Sequence, residues 1–426
     1  MKSSIKRSFL LLLIYITLIV NYKYIIAFHF DYLGFQIQYF SVSKLFIATV
    51  MVILLIALGI FIRNNFYSII YNISLTLLFF GQAIFYIYND SDFILVLYMA
   101  SPMLFLFTVD KFNNDKVNKF NKIKVDLKDF YTYIFLLFLT VILIAPYFQN
   151  INSINLKNLL FIDIYETRQS ESNSSNFLMG YIFSPLSRVL LPFLFIYSVN
   201  NKKWFLTIFS TLSIIMIFLL NGALKSILIG FIAAIFFLGG SYNKKNSRFL
   251  IALFITFTVS LFQYSLSGSY LIADYIRRIF LTPAKLFQVY YDYFYENYTF
   301  FKHSSIAEIL GVNEYDVFIP HFIGQSVLGR ENLSANVGVF TEGFLSFGTL
   351  GVIFSSIIFV FLIYVIKQLN LSPSYFGIVF SFLYVINTAF IETLLFTHGL
   401  LFLLLFGFFF IPSDKGNIDY KRYQKK

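Results

Sequence analysis

The sequence predicts an all-α polytopic integral membrane protein, and three observations carry that reading. Hydrophobic residues make up 58% of the 426 positions against 12% charged; apolar runs of 17 or more residues recur along nearly the whole chain; and lysine and arginine concentrate in alternate connections between those runs. A soluble core has no use for so much apolar surface, whereas one crossing of a bilayer takes about 20 apolar residues. The runs are unbroken rather than alternating, which excludes the strands of an outer-membrane barrel. Cysteine is absent, so disulfides and thiolate chemistry are excluded as well.

Taken in order, the apolar runs predict about twelve spans, near 8–27, 44–62, 66–88, 92–109, 130–147, 178–199, 204–220, 223–240, 249–267, 346–366, 375–391 and 394–411. Lys6 and Arg7 precede the first run and no small-residue cleavage pattern follows it, so the first helix is expected to stay in the mature protein. With the N-terminus in the cytoplasm, the inner connections and tails hold 21 of the 32 cations, the positive-inside pattern. That places both termini in the cytoplasm, makes 412–426 a basic cytoplasmic tail, and accounts for a net charge of +11 without nucleic acid as a partner.

Two connections on the outer side are too long for turns, 148–177 and 268–345, and the rest of 1–426 reads as one membrane domain. Loops of that length carry function or structure of their own. In the second, Ile272, Tyr275, Ile276, Ile279 and Phe280 fall on one helical face, with Asp274, Arg277 and Arg278 opposite and Asp274 spaced to pair with Arg278. Thr282 and Pro283 read as the N-cap and first turn of a second helix, the pair lying along the membrane interface. Its tyrosines, Tyr290 and Tyr291 among them, are either an interfacial aromatic belt or a surface for stacking sugars.

The outer side also carries cations that the charge rule disfavours. Arg188, in "SPLSRVLLP", lies about ten residues into an apolar span, where an arginine costs at least ~2.5 kcal/mol. It faces a polar cavity with a functional role, or pairs at a helix break made by Pro185 and Pro192. Lys225 stands at a tight turn, where it snorkels to headgroups or contributes to a site; Arg168 lies in the polar segment "YETRQSESNSSN". Arg277, Arg278 and Arg330 complete the set. Guanidinium groups gathered on one membrane face suit a phosphorylated ligand, because the planar fork binds phosphate oxygens bidentately. No spacing of His, Asp or Glu suggests a metal site and no phosphate-binding glycine loop is present, so protein cations, with no cofactor or metal, would hold the phosphate.

The chain resembles the Wzy-type polymerases of O-antigen and capsule repeat units. The resemblance rests on "TRQSESNSSNFLMGYIFSPLSRVLLPFLFIYS" at 167–198, "NGALKSILIGFIAAIFF" at 221–237, "RRIFLTPAKLFQVYYDYF" at 277–294 and "SANVGVFTEGFLSFGTLGV" at 334–352, in family order, while 1–129 matches in hydropathy alone. The spacing from each loop arginine to the next glycine departs from the family's ten-residue pattern: Gly180 follows Arg168 after eleven residues, and neither Gly338 nor Gly343 stands at that spacing from Arg330. The resemblance implies a GT-C-like membrane glycosyltransferase in the inner (plasma) membrane. It would move a growing glycan from its polyprenyl diphosphate to the terminal sugar hydroxyl of a second lipid-linked unit, with a chain-length regulator as a possible partner. An O-antigen ligase shares this architecture and leaving group, and a lipid-linked oligosaccharide flippase is the rival from another class.

Within that chemistry, Arg188, Arg277, Arg278, Lys225, Arg168 and Arg330 are the candidates to hold the diphosphate, a leaving group that needs electrostatic stabilisation more than a proton. Glu342 is the first candidate for the base, at the membrane re-entry, with its alternative a first-turn acid favoured by the helix dipole; His321 is second and Glu392 third. Asn336 joins Tyr290 and Tyr291 as a glycan contact. The glycines of 332–351 are expected to admit close backbone approach.

Overall fold

The computed structural model describes residues 2–112, 138–142, 183, 185–221, 230–315, 317–330 and 333–412. Among them every regular element is helical. Among the described residues, six helices are long and apolar enough to cross a membrane: Ser4–His29, Val42–Ile60, Asn65–Tyr88, Phe93–Phe112, Tyr242–Ser267 and Val339–Gln368. Shorter apolar helices occupy Leu186–Asn200, Trp204–Leu219, Pro373–Val385 and Leu400–Phe409. The protein is therefore an all-helical, polytopic membrane protein. The expected span at 130–147 falls almost wholly outside the described residues, as do the opening residues of those at 178–199 and 223–240.

Where the sequence reads as one membrane domain, the chain packs as two compact units. The first comprises Met1–Val117, Ser241–Tyr364 and Ile386–Ile391; the second comprises Asn118–Gly240, Val365–Val385 and Glu392–Lys426.

The first unit is built around Asn65–Tyr88, which is buried from Phe66 to Tyr88. Its start is fixed by short polar side chains that absorb backbone donors otherwise left open at a helix end. Asn64 Oδ1 accepts from Phe66 N at 2.9 Å, and the buried Asp110 carboxylate accepts from Arg63 N and Asn64 N at 2.8 and 3.0 Å. Tyr242–Ser267 packs on its first half and Val42–Ile60 on its second, with Ser4–His29 against Tyr242–Ser267. Apolar residues gain little from leaving lipid for protein, so helix contacts in a bilayer lean on small and polar side chains. Here Asn72 donates to Asn246 at 3.0 Å, and Asn21 donates to the Phe257 carbonyl at 3.0 Å.

The connection from Gly268 to Gly338 folds into this unit. The helical run 271–294 is continuous across Thr282 and Pro283, where the sequence suggested two helices. A widened turn at Arg277–Leu281, with Thr282 N–H bonded to Arg277 O, carries the chain through helical angles and accommodates a proline that has no N–H to give. The run does not simply lie along an interface. Gly81 of the buried helix meets it backbone to backbone, so close that a Cβ at Gly81 would stand 1.7 Å from Phe280 O. Phe280 and Phe287 are buried, the former edge-on to Phe257.

Re-entry differs most from the sequence reading. The helix Val339–Gln368 is two limbs, because Phe347 and Gly348 leave helical geometry, Gly348 at φ 59°. Along one straight helix, residues 343 and 351 would be about 12 Å apart. Instead their backbones touch, since a Cβ on Gly351 would lie 1.8 Å from Gly343 O and one on Gly343 would lie 2.2 Å from Ser355 Oγ. The limb 339–346 is thus folded back on the apolar limb 349–368, and it is buried throughout. Thr299 N and Phe300 N donate to the Leu345 and Ser346 carbonyls at 2.8 and 3.0 Å, closing the end of the first limb. The expected span at 346–366 corresponds to the second limb alone.

These contacts admit hydrogen and nothing larger. Gly351→Ala and Gly81→Ala are expected to abolish the monodisperse, folded species on size-exclusion chromatography in detergent. Gly311→Ala, where φ is 68° and the space is open, costs only the left-handed strain of about 1–2 kcal/mol and elutes normally.

Candidate functional site

The site begins with residues 271–294, because their widened turn changes which side chains face inward. Arg277, expected on the polar face with Arg278, is 8% exposed. Its guanidinium lies over the ring of Phe30 at 4.5 Å and of Phe35 at 5.7 Å, both buried aromatics of the short connection 30–35. Nε and Nη2 donate to Asp274 Oδ1 at 3.1 and 2.5 Å, and Nη1 reaches Thr282 Oγ1 at 3.4 Å. Arg277 is therefore first an anchor, three of its five N–H groups bonded to Asp274 and Thr282, while its neighbour Arg278 is the more exposed of the two candidates for a diphosphate.

Arg278 bonds the other oxygen of the same carboxylate, Nε to Asp274 Oδ2 at 2.8 Å, as its four-residue spacing suggested, and its side chain is 53% exposed. Lys285 reaches the same place from the next turns of the run, its ammonium 5.6 Å from the Phe35 ring. Burial lowers the Lys285 pKa from the ordinary lysine range, and the charges of Arg330 and Arg277 lower it further. Arg330 itself is exposed, its backbone N–H fixed on Gly324 O at 3.0 Å. Arg277, Arg278, Lys285 and Arg330 thus gather in one region, with Asp274 as the carboxylate bonded to two of them. The excess of positive charge invites an anion.

Lys285 was not singled out from the sequence, although a signal was present. Arg278, Lys285 and Asp292 are spaced by seven residues each, two helical turns, which puts such positions near one face.

Arg188 belongs to the second unit. It sits in a widened turn, Leu186–Leu190, is 5% exposed, and its Nε and Nη1 have no hydrogen-bond partner among the described residues. Buried guanidinium donors left without an acceptor are expensive. Arg168 and Lys225 lie outside the described residues.

Glu342 takes the alternative the sequence left open. It stands in the first turn of its limb, 2% exposed, and its Oε2 accepts from Ile391 N at 2.5 Å. Val339 N bonds Ile386 O at 3.1 Å and a Cβ at Gly338 would be 2.4 Å from the same oxygen, so the limb is stitched to the non-helical stretch 386–390. The buried carboxylate thus holds a backbone N–H, the structural alternative to its placement as leading base. His321 is exposed on the short helix Ile319–Phe322, beside Phe318.

Tyr290 likewise has a structural partner. It is fully buried and its hydroxyl donates to Ala335 O at 2.9 Å, tying the run 271–294 to the returning chain rather than meeting a glycan. Tyr291 is half-buried between Phe344 and Tyr295, at 5.0 and 5.3 Å, and Asn336 is exposed, accepting from Ser334 Oγ at 3.1 Å. Among the described residues no group of His, Asp and Glu has the arrangement of a metal site.

The fold and this charge cluster define a polytopic helical membrane protein with a group of cations in its longest described connection. No known protein family, characterised protein or solved structure matches the chain.

Two outcomes follow. Glu342→Ala is expected to destabilise the protein by about 2–3 kcal/mol, the worth of a charge-assisted bond to a buried N–H, read as a lower midpoint in a denaturant titration in detergent. His303 accepts from or donates to Thr299 Oγ1 at 2.9 Å, and burial pushes its pKa down to about 4. Its folded state stays neutral where an unfolded histidine already binds a proton, so stability falls as pH drops from about 6.5 towards 4. The loss attributable to this ring is on the order of 2–3 kcal/mol, and His303→Gln should remove that part of the pH dependence in thermal unfolding.

Proposed function

We propose that the protein is a membrane glycosyltransferase that polymerises polyprenyl-diphosphate-linked oligosaccharide repeat units at the outer face of the plasma membrane. The observation that carries this reading is the cation cluster of Arg278, Lys285 and Arg330 around the Arg277–Asp274 anchor, in which positive charge exceeds negative and Lys285 is held against its neighbours' repulsion. A lipid diphosphate at the membrane surface supplies two to three negative charges where the protein supplies the counter-charge.

In the reaction, the bond from the anomeric carbon to the diphosphate oxygen breaks and its electron pair stays on the phosphate. Arg278, Lys285 and Arg330 stabilise the charge that develops there, an electrostatic contribution made by groups already in place. The terminal hydroxyl oxygen of the second unit bonds to the anomeric carbon and releases its proton to a base. With the Glu342 carboxylate held by Ile391 N–H, His321 is the exposed candidate of the two.

Deletion in the native host is expected to abolish the ladder of surface polysaccharide on a gel while single repeat units stay on the surface anchor. Loss of those units as well would assign the protein to ligation or flipping. In the deleted host, the triple variant Arg278→Ala, Lys285→Ala, Arg330→Ala should restore less than a tenth of the long chains, since each charged bond lost removes about 1.5–3 kcal/mol. A normal ladder from that variant would disprove the site.

A further inference from the structure

The helix Thr282–Phe294 carries a second polar pole. Lys285, Gln288 and Asp292 fall at i, i+3 and i+7, one stripe along one face. At the Asp292 end, Gln288 Nε2 donates to Asp292 Oδ1 at 2.6 Å. Gln288 is 9% exposed, and its own Oε1 has no hydrogen-bond partner among the described residues. Asp90 and Asp92, from the connection between the helices Asn65–Tyr88 and Phe93–Phe112, approach the same carboxylate, and both are exposed. Burial, then the charge of nearby Asp92, raises the Tyr291 pKa from the ordinary tyrosine range, and its ring pairs with that of the exposed Tyr295.

Acceptors outnumber donors at this end: three carboxylates and an amide oxygen stand against the Gln288 amide, already bonded to Asp292, and the hydroxyls of two bordering tyrosines. A ligand that satisfies it brings several donors in a compact frame and an apolar face for the rings, which is the chemistry of a sugar. A bare metal ion fits less well, since the carboxylates are not grouped as metal ligands. Burial, then the charges of Asp92 and Asp90, raise the Asp292 pKa from the usual carboxylate range, so a ligand that donates to Asp292 relieves a strain already present. Two helical turns separate this pole from Lys285, about 10 Å along the axis. That interval leaves room for the anomeric carbon that bonds both leaving and attacking oxygens, with the diphosphate towards Lys285 and the body of the acceptor unit at this pole.

We propose that Asp92, Gln288 and Asp292, with the rings of Tyr291 and Tyr295, form an acceptor-sugar subsite that receives and orients the hydroxyls of the incoming repeat unit. The proposal rests on the glycosyl-transfer reading above, and the two are separable by using two probes. The full-length protein, purified in detergent, is titrated with geranylgeranyl diphosphate and, separately, with the repeat-unit oligosaccharide released from the host's own surface polysaccharide. The Asp92→Asn, Asp292→Asn double variant is expected to bind the oligosaccharide at least tenfold more weakly and the diphosphate unchanged. Tyr295→Ala, at a position 52% exposed, tests the same subsite without disturbing the core and should weaken the oligosaccharide alone.

Equal oligosaccharide binding by wild type and variants overturns the subsite, as does no oligosaccharide binding by a wild type that binds the diphosphate; in that second case the glycosyl-transfer reading stands. Loss of oligosaccharide binding in the variants, with no diphosphate binding by any form, upholds the subsite and defeats the diphosphate site. Stabilisation of wild type but not the double variant by calcium chloride alone, without oligosaccharide binding, makes this a cation site and overturns the proposal.

Discussion

Backbone meeting backbone is the constraint on which the first unit depends. At Gly81 with Phe280, Gly324 with Leu333, Gly338 with Ile386 and Gly343 with Gly351, a Cβ would stand 1.7 to 2.4 Å from a carbonyl oxygen of the partner segment. Each contact brings a piece of connection, polar by composition, against an apolar helix or against another connection at a distance no side chain could bridge. In a bilayer an irregular backbone is tolerated only where protein satisfies its polar groups. The contacts provide that: Val339 N–H and Glu342 close on the stretch 386–391, Thr299 and Phe300 close the end of the first limb, and Asn387 donates to Leu77 O at 3.2 Å within the buried helix. The glycines are the condition, and the hydrogen bonds follow from the approach they allow.

The same approach sets the charges. Because Gly81 lets the run 271–294 sit on the buried helix, the widened turn at 277–281 points Arg277 inward to Phe30, Phe35 and Asp274 and leaves Arg278 outward. One carboxylate then serves two guanidinium groups, and Lys285 and Arg330 add charge that it does not neutralise. Gathering like charge in this manner costs stability, which a counter-charge would offset.

Much of the architecture was legible in the amino-acid sequence, because the helical class follows from hydropathy and hydropathy is local. Ser4–His29, Val42–Ile60, Asn65–Tyr88, Phe93–Phe112 and Tyr242–Ser267 lie close to the expected 8–27, 44–62, 66–88, 92–109 and 249–267. The Asp274–Arg278 pair was legible for the same reason, being set by helical spacing. What was not legible is whatever depends on partners distant in the chain. Glu342 stood out for its position at the membrane re-entry, but its partner Ile391 is 49 residues away. Tyr290 and Tyr291 are adjacent and chemically identical, yet one is sealed on Ala335 and the other faces Asp92, a difference decided by tertiary packing. The limb 339–346 was hidden because its glycines predict close approach without saying to what.

The helix Thr282–Phe294 shows why charge placement and packing cannot be separated. Its buried face, Phe287, Tyr290 and Phe294, fixes its rotation against the core; once that is fixed, Lys285 and Asp292 have no choice of direction. A rigid helix then holds a cationic and an anionic pole two turns apart, and two sites on one rigid element keep their spacing better than sites on separate loops. Groups bound at its two ends would keep a fixed spacing and mutual orientation. The tyrosine that seals the helix, Tyr290, is thus as necessary to that geometry as the charged residues it never touches.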